Sequence, residues 1–200
     1  VLALDTATPV PALALAGGRF EGESRLPSGR HVSEVLLPAL SDLLDRAGAR
    51  LSDVGRIAAL AGPGSFTGIR VGLATAWGLA RAHGIALETV GSLEALAETA
   101  RGAAENLVSA CLPAERGDVY AGTFDLSGER ARAVGEERVI PAGQAESLAG
   151  WVVREPAGGV SAALAAARAV FRSPGAAADL PRARYVRVSA AEEFHGLARS

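Results

Sequence analysis

Short apolar runs dominate the opening of this 200-residue chain. Val1–Asp5 ends at Thr6-Ala7-Thr8-Pro9, Ala12–Ala16 closes at Gly17-Gly18, and Arg19–Leu26 follows at once. The links between these runs are too short for helical crossovers, so they predict an antiparallel meander of three strands. The apolar period then lengthens. It predicts a helix over Ser33–Ala47 stopped by Gly48, a buried strand over Arg56–Ala61, and a second helix over Thr67–Ala82 ending near Gly84. Ile85–Val90 reads as another strand and Ser92–Ala100 as a third helix. Three strands, helix, strand, helix, strand, helix is the pattern of an α/β fold, a mixed sheet flanked by helices. The second half is less regular. Asn106–Leu112 and Asp118–Leu126 read as paired strands around Glu115-Arg116-Gly117, Val134–Ile140 as a third, and Ala162–Phe171 as a helix. Ala176–Ala178 falls in a loop, and Arg184–Val188 reads as a late strand before a charged tail.

Two helices carry more apolar or close-fitting surface than one sheet requires. Val32, Val35, Leu36, Leu37, Leu40, Leu43, Leu44 and Ala47 cover an arc of roughly 200°, where about 100° would face a single sheet. In the next helix Gly68, Gly72, Ala76 and Ala80 recur every fourth residue on one face. A glycine inside a helix costs roughly 0.5–1 kcal/mol against alanine, so another backbone is expected to approach closely there. That backbone is either the chain's own sheet or another molecule. The breadth of the first helix's arc favours a two-helix interaction face, on which Ala76→Arg would block pairing without unfolding the chain.

Composition narrows the chemistry. Residues 1–100 carry 8 Arg and 10 acids, residues 101–200 carry 12 of each, and the net charge is −2, so no broad basic face for nucleic acid is expected. Cys111 is the single cysteine, which excludes an internal disulfide and a cysteine-based zinc site. Lysine is absent, which removes any Walker-type or Schiff-base lysine. No stretch of about 18 apolar residues and no charged-then-apolar leader occurs, so a cytoplasmic protein is expected. Without an initiator Met, a residue or two is expected to precede Val1.

The candidate chemical groups each carry two readings. Asp5-Thr6-Ala7-Thr8 ends a strand at the sheet edge, where an acid and hydroxyls would face nucleotide phosphates or else bond their own backbone. Gly62-Pro63-Gly64-Ser65 enters a helix that Ser65 or Thr67 would cap, and free N–H groups there could hold an anion. His31-Val32-Ser33-Glu34 suggests a metal, but a helical pair needs histidines four apart, and the residue four after His31 is Val35. A helix cap around Ser33 is therefore expected instead. His83 and His195 have no visible ligand partners. Arg182, Arg184 and Arg187 could touch RNA phosphate but read rather as scattered surface arginines.

Asp5-Thr-Ala-Thr, His31-Val-Ser-Glu-Val-Leu-Leu-Pro38, Gly62-Pro-Gly-Ser-Phe-Thr-Gly-Ile-Arg-Val-Gly72 and Ser92-Leu-Glu-Ala-Leu-Ala97 occur in this order. Together they resemble the TsaB family. Glu115-Arg-Gly-Asp-Val-Tyr120 and Tyr185-Val-Arg187 are similar to its later landmarks, although Pro113-Ala114-Glu115-Arg116 replaces the usual Asp-Ala-Arg and Trp151–Asp179 is short. The resemblance implies a two-lobed actin-like, ribonuclease-H-like fold, with residues 1–103 as the first lobe and 104–200 as a smaller second one. It implies a non-catalytic subunit of the assembly that puts a threonylcarbamoyl group on the tRNA adenosine beside the anticodon. The partners implied are the catalytic paralogue TsaD and the ATPase TsaE, with tRNA reached only through the complex and a homodimer formed when alone. No metal is implied, because TsaD's His-x-x-x-His pair has Val35 at its second place here. ATP or ADP is expected only in the complex. The family's dimers bury the helices matching Ser33–Ala47 and Thr67–Ala82. That places Val35, Leu36, Leu37, Leu40, Leu44, Gly68, Val71, Gly72, Thr75, Ala76 and Leu79 on the partner face, and Asp5, Thr6 and Thr8 toward any nucleotide. The rival readings on this fold are a nucleotide-dependent small-molecule kinase and a glycoprotease-like metallohydrolase.

Overall fold

The computed structural model describes residues 1–18, 20–27, 31–103, 105–156 and 159–186. The expected meander is present as β1 (Leu2–Asp5), β2 (Ala12–Leu15) and β3 (Gly22–Arg25). Helix α1 (Val32–Ala47) leads to β4 (Arg56–Leu60), and α2 (Phe66–His83) leads to β5 (Ala86–Val90). The first sheet runs β3-β2-β1-β4-β5, antiparallel across β3, β2 and β1 and parallel across β1, β4 and β5. Strands β1 and β2 are buried along their whole length because both faces are covered. On one side α1 packs on β2 and β3, and α2 packs on β4, β5 and β1. On the other lies α4 (Ala162–Arg172), which belongs to the second half of the chain yet packs on β1, β2 and β4.

The second sheet runs β10-β6-β7-β8, from β6 (Leu107–Pro113), β7 (Asp118–Asp125), β8 (Arg132–Ala133) and β10 (Trp151–Val153). The expected strand over Val134–Ile140 is replaced by two short ones. Strand β8 pairs with one end of β7, and β9 (Arg138–Pro141) pairs with the other. Strand β10 has only three residues and follows a glycine in the left-handed region, which left no periodic signal in the sequence. Helix α3 (Ser92–Glu98) sits between the sheets, placing Leu93, Leu96 and Ala97 against Val108, Leu112 and Phe124 while packing on α4. The alanines of α4 are buried almost all round, and their small size admits a helix between a sheet and a neighbouring helix.

Two sets of contacts lock this arrangement. Two buried carboxylates, Glu88 and Glu98, and the half-buried Glu94 join the halves of the chain. Glu98 accepts from Arg101 Nε at 2.6 Å, Arg172 Nη2 at 2.7 Å and the Ala131 amide at 2.6 Å. Arg130 bridges Glu88 and Glu94, with its Nε 2.6 Å from Glu94. After α4 the chain returns across the first sheet as a strap. The Gly175 amide donates to Glu88 at 2.9 Å, Ala178 to the Leu87 carbonyl at 2.7 Å, and Arg184 to the Ala61 carbonyl at 2.7 Å. Residues 184–186 form no strand, and the rest of the expected late strand lies outside the described residues, as do Arg187 and His195.

The start of α2 is pressed onto the turn after β1. A methyl group at Gly68 would overlap the Thr6 carbonyl oxygen, and one at Gly72 would overlap the Thr6 hydroxyl. Gly68→Ala is therefore expected to destabilise the chain by about 1–3 kcal/mol through overpacking, although alanine is the better helix former by about 1 kcal/mol. Urea denaturation measures the sign: a variant more stable than the parent would show that the contact is not tight.

Candidate functional site

The turn after β1 is closed. Asp5, Thr6 and Thr8 are buried. One Asp5 oxygen accepts from the amides of Ala7 and Thr8, each at 3.0 Å, and the other accepts from the Thr8 hydroxyl at 2.5 Å. The Thr6 hydroxyl donates to the Gly68 carbonyl at 2.7 Å, and the Ser65 amide donates to the Ala7 carbonyl at 2.8 Å. Of the two readings open for this turn, the geometry matches local backbone bonding, with the hydroxyls turned into the chain. Burial pushes the Asp5 carboxyl up to about 6, against the lowering pull of the hydrogen bonds from Thr8 and Ala7.

The caps divide in a similar way. Ser65 caps α2, its hydroxyl accepting from the Gly68 amide at 3.2 Å, while Thr67 lies inside the helix. The expected cap at Ser33 does not form. The chain turns helical one residue earlier, with His31 in extended geometry at the N-cap and making no side-chain cap bond. Among the described residues no three His, Cys, Asp or Glu side chains gather in metal-binding reach.

The predicted partner face separates into two groups. Leu36, Leu40, Gly68, Gly72 and Ala76 are buried within the chain itself. This corrects their assignment to an exposed seam: the small-residue stripe of α2 faces Thr6 and the first sheet, where its lack of side chains is used up. Ala76→Arg would therefore disrupt the core and could not serve as an interface probe. Val35, Leu44, Val71, Thr75 and Leu79 are half-buried, and Leu37 is 54% exposed.

Sequence reasoning missed what the other side of α2 presents. Ala74, Gly78 and Ala82 also recur every fourth residue, and all three are exposed. Among the described residues, apart from its own helix backbone and chain neighbours, no atom lies within 4 Å of the place a Gly78 side chain would occupy. The signal was available, since Gly78 falls outside the Gly68-Gly72-Ala76-Ala80 series and so needed its own explanation. Beside this stripe, Phe66 and Trp77 are exposed, the Arg70 guanidinium lies 3.8 Å from the centre of the Phe66 ring, and Tyr185 of the strap stands 5.5 Å from that ring.

Residues 27–193 match the family model described as TsaD, tRNA N6-adenosine threonylcarbamoyltransferase. The chain is 31% identical over 160 residues to the tRNA threonylcarbamoyladenosine biosynthesis protein TsaB of Escherichia coli (strain K12), covering 76% of this chain and 69% of that protein. It is 36% identical over 126 residues to TsaB of Haemophilus influenzae, covering 60% of this chain and 51%, about half, of that relative's length. A solved Pseudomonas aeruginosa protein with similarity to the peptidase YEAZ superposes with a TM-score of 0.78 at 30% identity, covering 93% of this chain and 98% of that one.

The Asp5 environment gives a pH test. Its carboxyl rises from 3.8 unfolded to about 6 folded, so the folded chain holds the extra proton between those values. Stability from this group is greatest below 3.8 and falls as pH rises through about 6. Carbon-detected NMR of the carboxyl should give a midpoint near 6, and Asp5→Asn should flatten the stability profile in that window.

Proposed function

The chain belongs to the TsaB (YeaZ) family, inside the range of the TsaD family model, and from that premise we propose that it is the non-catalytic subunit that binds and activates TsaD in tRNA threonylcarbamoyladenosine biosynthesis. The observation that carries this reading is Gly78. A glycine in the middle of an exposed helix costs roughly 0.5–1 kcal/mol. Nothing among the described residues fills the space beside it. A stripe of Ala74, Gly78 and Ala82 lets a second helix backbone come close, and Leu37 with the half-buried Val71 and Thr75 would border such a contact. The docking seam is thus the outer side of α1 and α2, and the inward stripe only sets its orientation.

On this reading the turn at Asp5 supports no phosphate cradle of its own, because its hydroxyls bond within the chain. ATP or ADP would enter only with the assembled complex, and TsaE would join it there. A second copy of the chain would use the same seam when TsaD is absent. The division into lobes near residue 103 belongs to this proposal, the first lobe carrying the seam. No helix among the described residues is long and apolar enough to cross a membrane, which accords with a cytoplasmic assembly.

Gly78→Arg and Leu37→Glu each place a bulky or charged group on exposed surface. Both should abolish co-elution with purified TsaD while circular dichroism and melting temperature stay near those of the parent. Gly78→Ala should stabilise the isolated chain by about 0.5–1 kcal/mol and weaken TsaD binding. Undiminished binding by Gly78→Arg would remove the seam from consideration.

A further inference from the structure

The strap-side flank of α2 has a composition unlike the rest of the surface. At 100° per residue, Phe66, Arg70, Trp77 and Arg81 fall within a sector of roughly 60°, spread over about 22 Å of helix. Phe66 is 38% exposed and Trp77 40% exposed, and Tyr185, 42% exposed, stands beside Phe66. The rings are held rather than loose. Trp77 donates its indole N–H to the Asp179 carbonyl at 3.0 Å, and Arg70 lies over the Phe66 ring.

The arginines of this flank are only loosely committed. Buried or bordering arginines elsewhere are committed to carboxylates, as Arg101 and Arg172 are to Glu98 and Arg130 is to Glu88 and Glu94. Among the described residues no carboxylate reaches Arg70, and Arg81 has only Asp179, at 3.8 Å with both side chains largely exposed. The flank is therefore locally cationic on a chain whose net charge is −2.

We infer that this flank binds a single-stranded stretch of RNA. Exposed aromatic rings beside Arg70, which no carboxylate among the described residues reaches, and the loosely paired Arg81 fit a strand that offers a flat base and a phosphate at each step. An acidic protein segment would satisfy the guanidiniums and leave the exposed parts of the Phe66, Trp77 and Tyr185 rings without partners of their own. The even charge of the remaining surface provides no long-range steering, so the contact works on RNA already held by an assembly. In that sense the inference rests on the proposed place of the chain in a tRNA-modifying complex, and it adds a direct contact to RNA by this subunit.

The test is fluorescence anisotropy of an end-labelled, unmodified tRNA transcript titrated with the full chain at saturating TsaD, repeated across salt concentrations. TsaD affinity is measured separately by pull-down. Phe66→Ala and Tyr185→Ala should each weaken tRNA binding about fivefold or more. Phe66→Tyr should restore it. Arg70→Gln should reduce the slope of log affinity against log salt by about 0.7, the loss of one phosphate contact. Unchanged tRNA affinity and salt slope in these variants overturns the inference. So does a loss of TsaD affinity with tRNA binding intact, which would assign the flank to a protein interface. If the parent chain fails to bind TsaD, the proposed function falls, and the same titration with the chain alone decides the RNA contact by itself.

Discussion

The contact between the Thr6 turn and the first two turns of α2 governs the surface of this protein. Glycine at positions 68 and 72 lets a helix rest directly on a carbonyl oxygen and a hydroxyl at the end of β1. The Thr6 hydroxyl then bonds the Gly68 carbonyl, and the Ser65 amide bonds the Ala7 carbonyl, so the helix is fixed in depth and in rotation. Once rotation is fixed, every other residue of α2 has an assigned direction. Ile69, Leu73, Ala76 and Ala80 enter the core, while Ala74, Gly78 and Ala82 point out.

A second constraint holds the halves of the chain together. Burying Glu88 and Glu98 would be costly if either lacked partners, because a carboxylate removed from water needs several hydrogen bonds and an opposite charge. Glu98 receives two arginines and a backbone amide, and Glu88 receives Arg56, Arg130 and the Gly175 amide. These donors come from β4, from the segment before β8, from the end of α4 and from the strap. The pairs therefore specify which distant segments meet, in a region where alanine-rich packing alone would discriminate poorly between neighbours.

Periodicity made most of the first half legible. The first two strands of the meander, both long helices and the two parallel strands lie within a residue of their sequence-based limits, because apolar spacing and the glycines at 48 and 84 mark them directly, while β3 starts three residues later than expected. Periodicity failed where elements are very short, as in β8 and β10, and where packing partners are remote, as in the return of α4 to the first sheet. The candidate site was half legible. A four-residue series of small side chains announces close backbone approach, but it carries no information about whose backbone approaches. Likewise the wide arc of α1 did not say that Leu36, Leu40 and Leu43 would turn inward and Leu37 outward.

Helix α2 therefore has three working sides that do not compete for the same residues. Its inward side needs glycine to meet the sheet, its outward side presents small exposed residues where the proposed partner helix would dock, and its strap side holds aromatic rings beside Arg70 and the loosely paired Arg81. The strap makes the last arrangement possible, since Trp77 is held by Asp179 and Phe66 is flanked by Tyr185, both contributed by the chain after α4. Exposed aromatic residues would ordinarily be a liability on a protein of low overall charge. Their fixed orientation, next to Arg70, which no carboxylate among the described residues reaches, and Arg81, which has only the exposed Asp179 at 3.8 Å, is better explained by a ligand with stacked planes and negative charge than by incomplete burial. On that argument the residues outside the small-residue series, Gly78 and the Phe66–Trp77 flank, are where the proposed contacts lie, while the glycines at 68 and 72 are spent on the contact with Thr6.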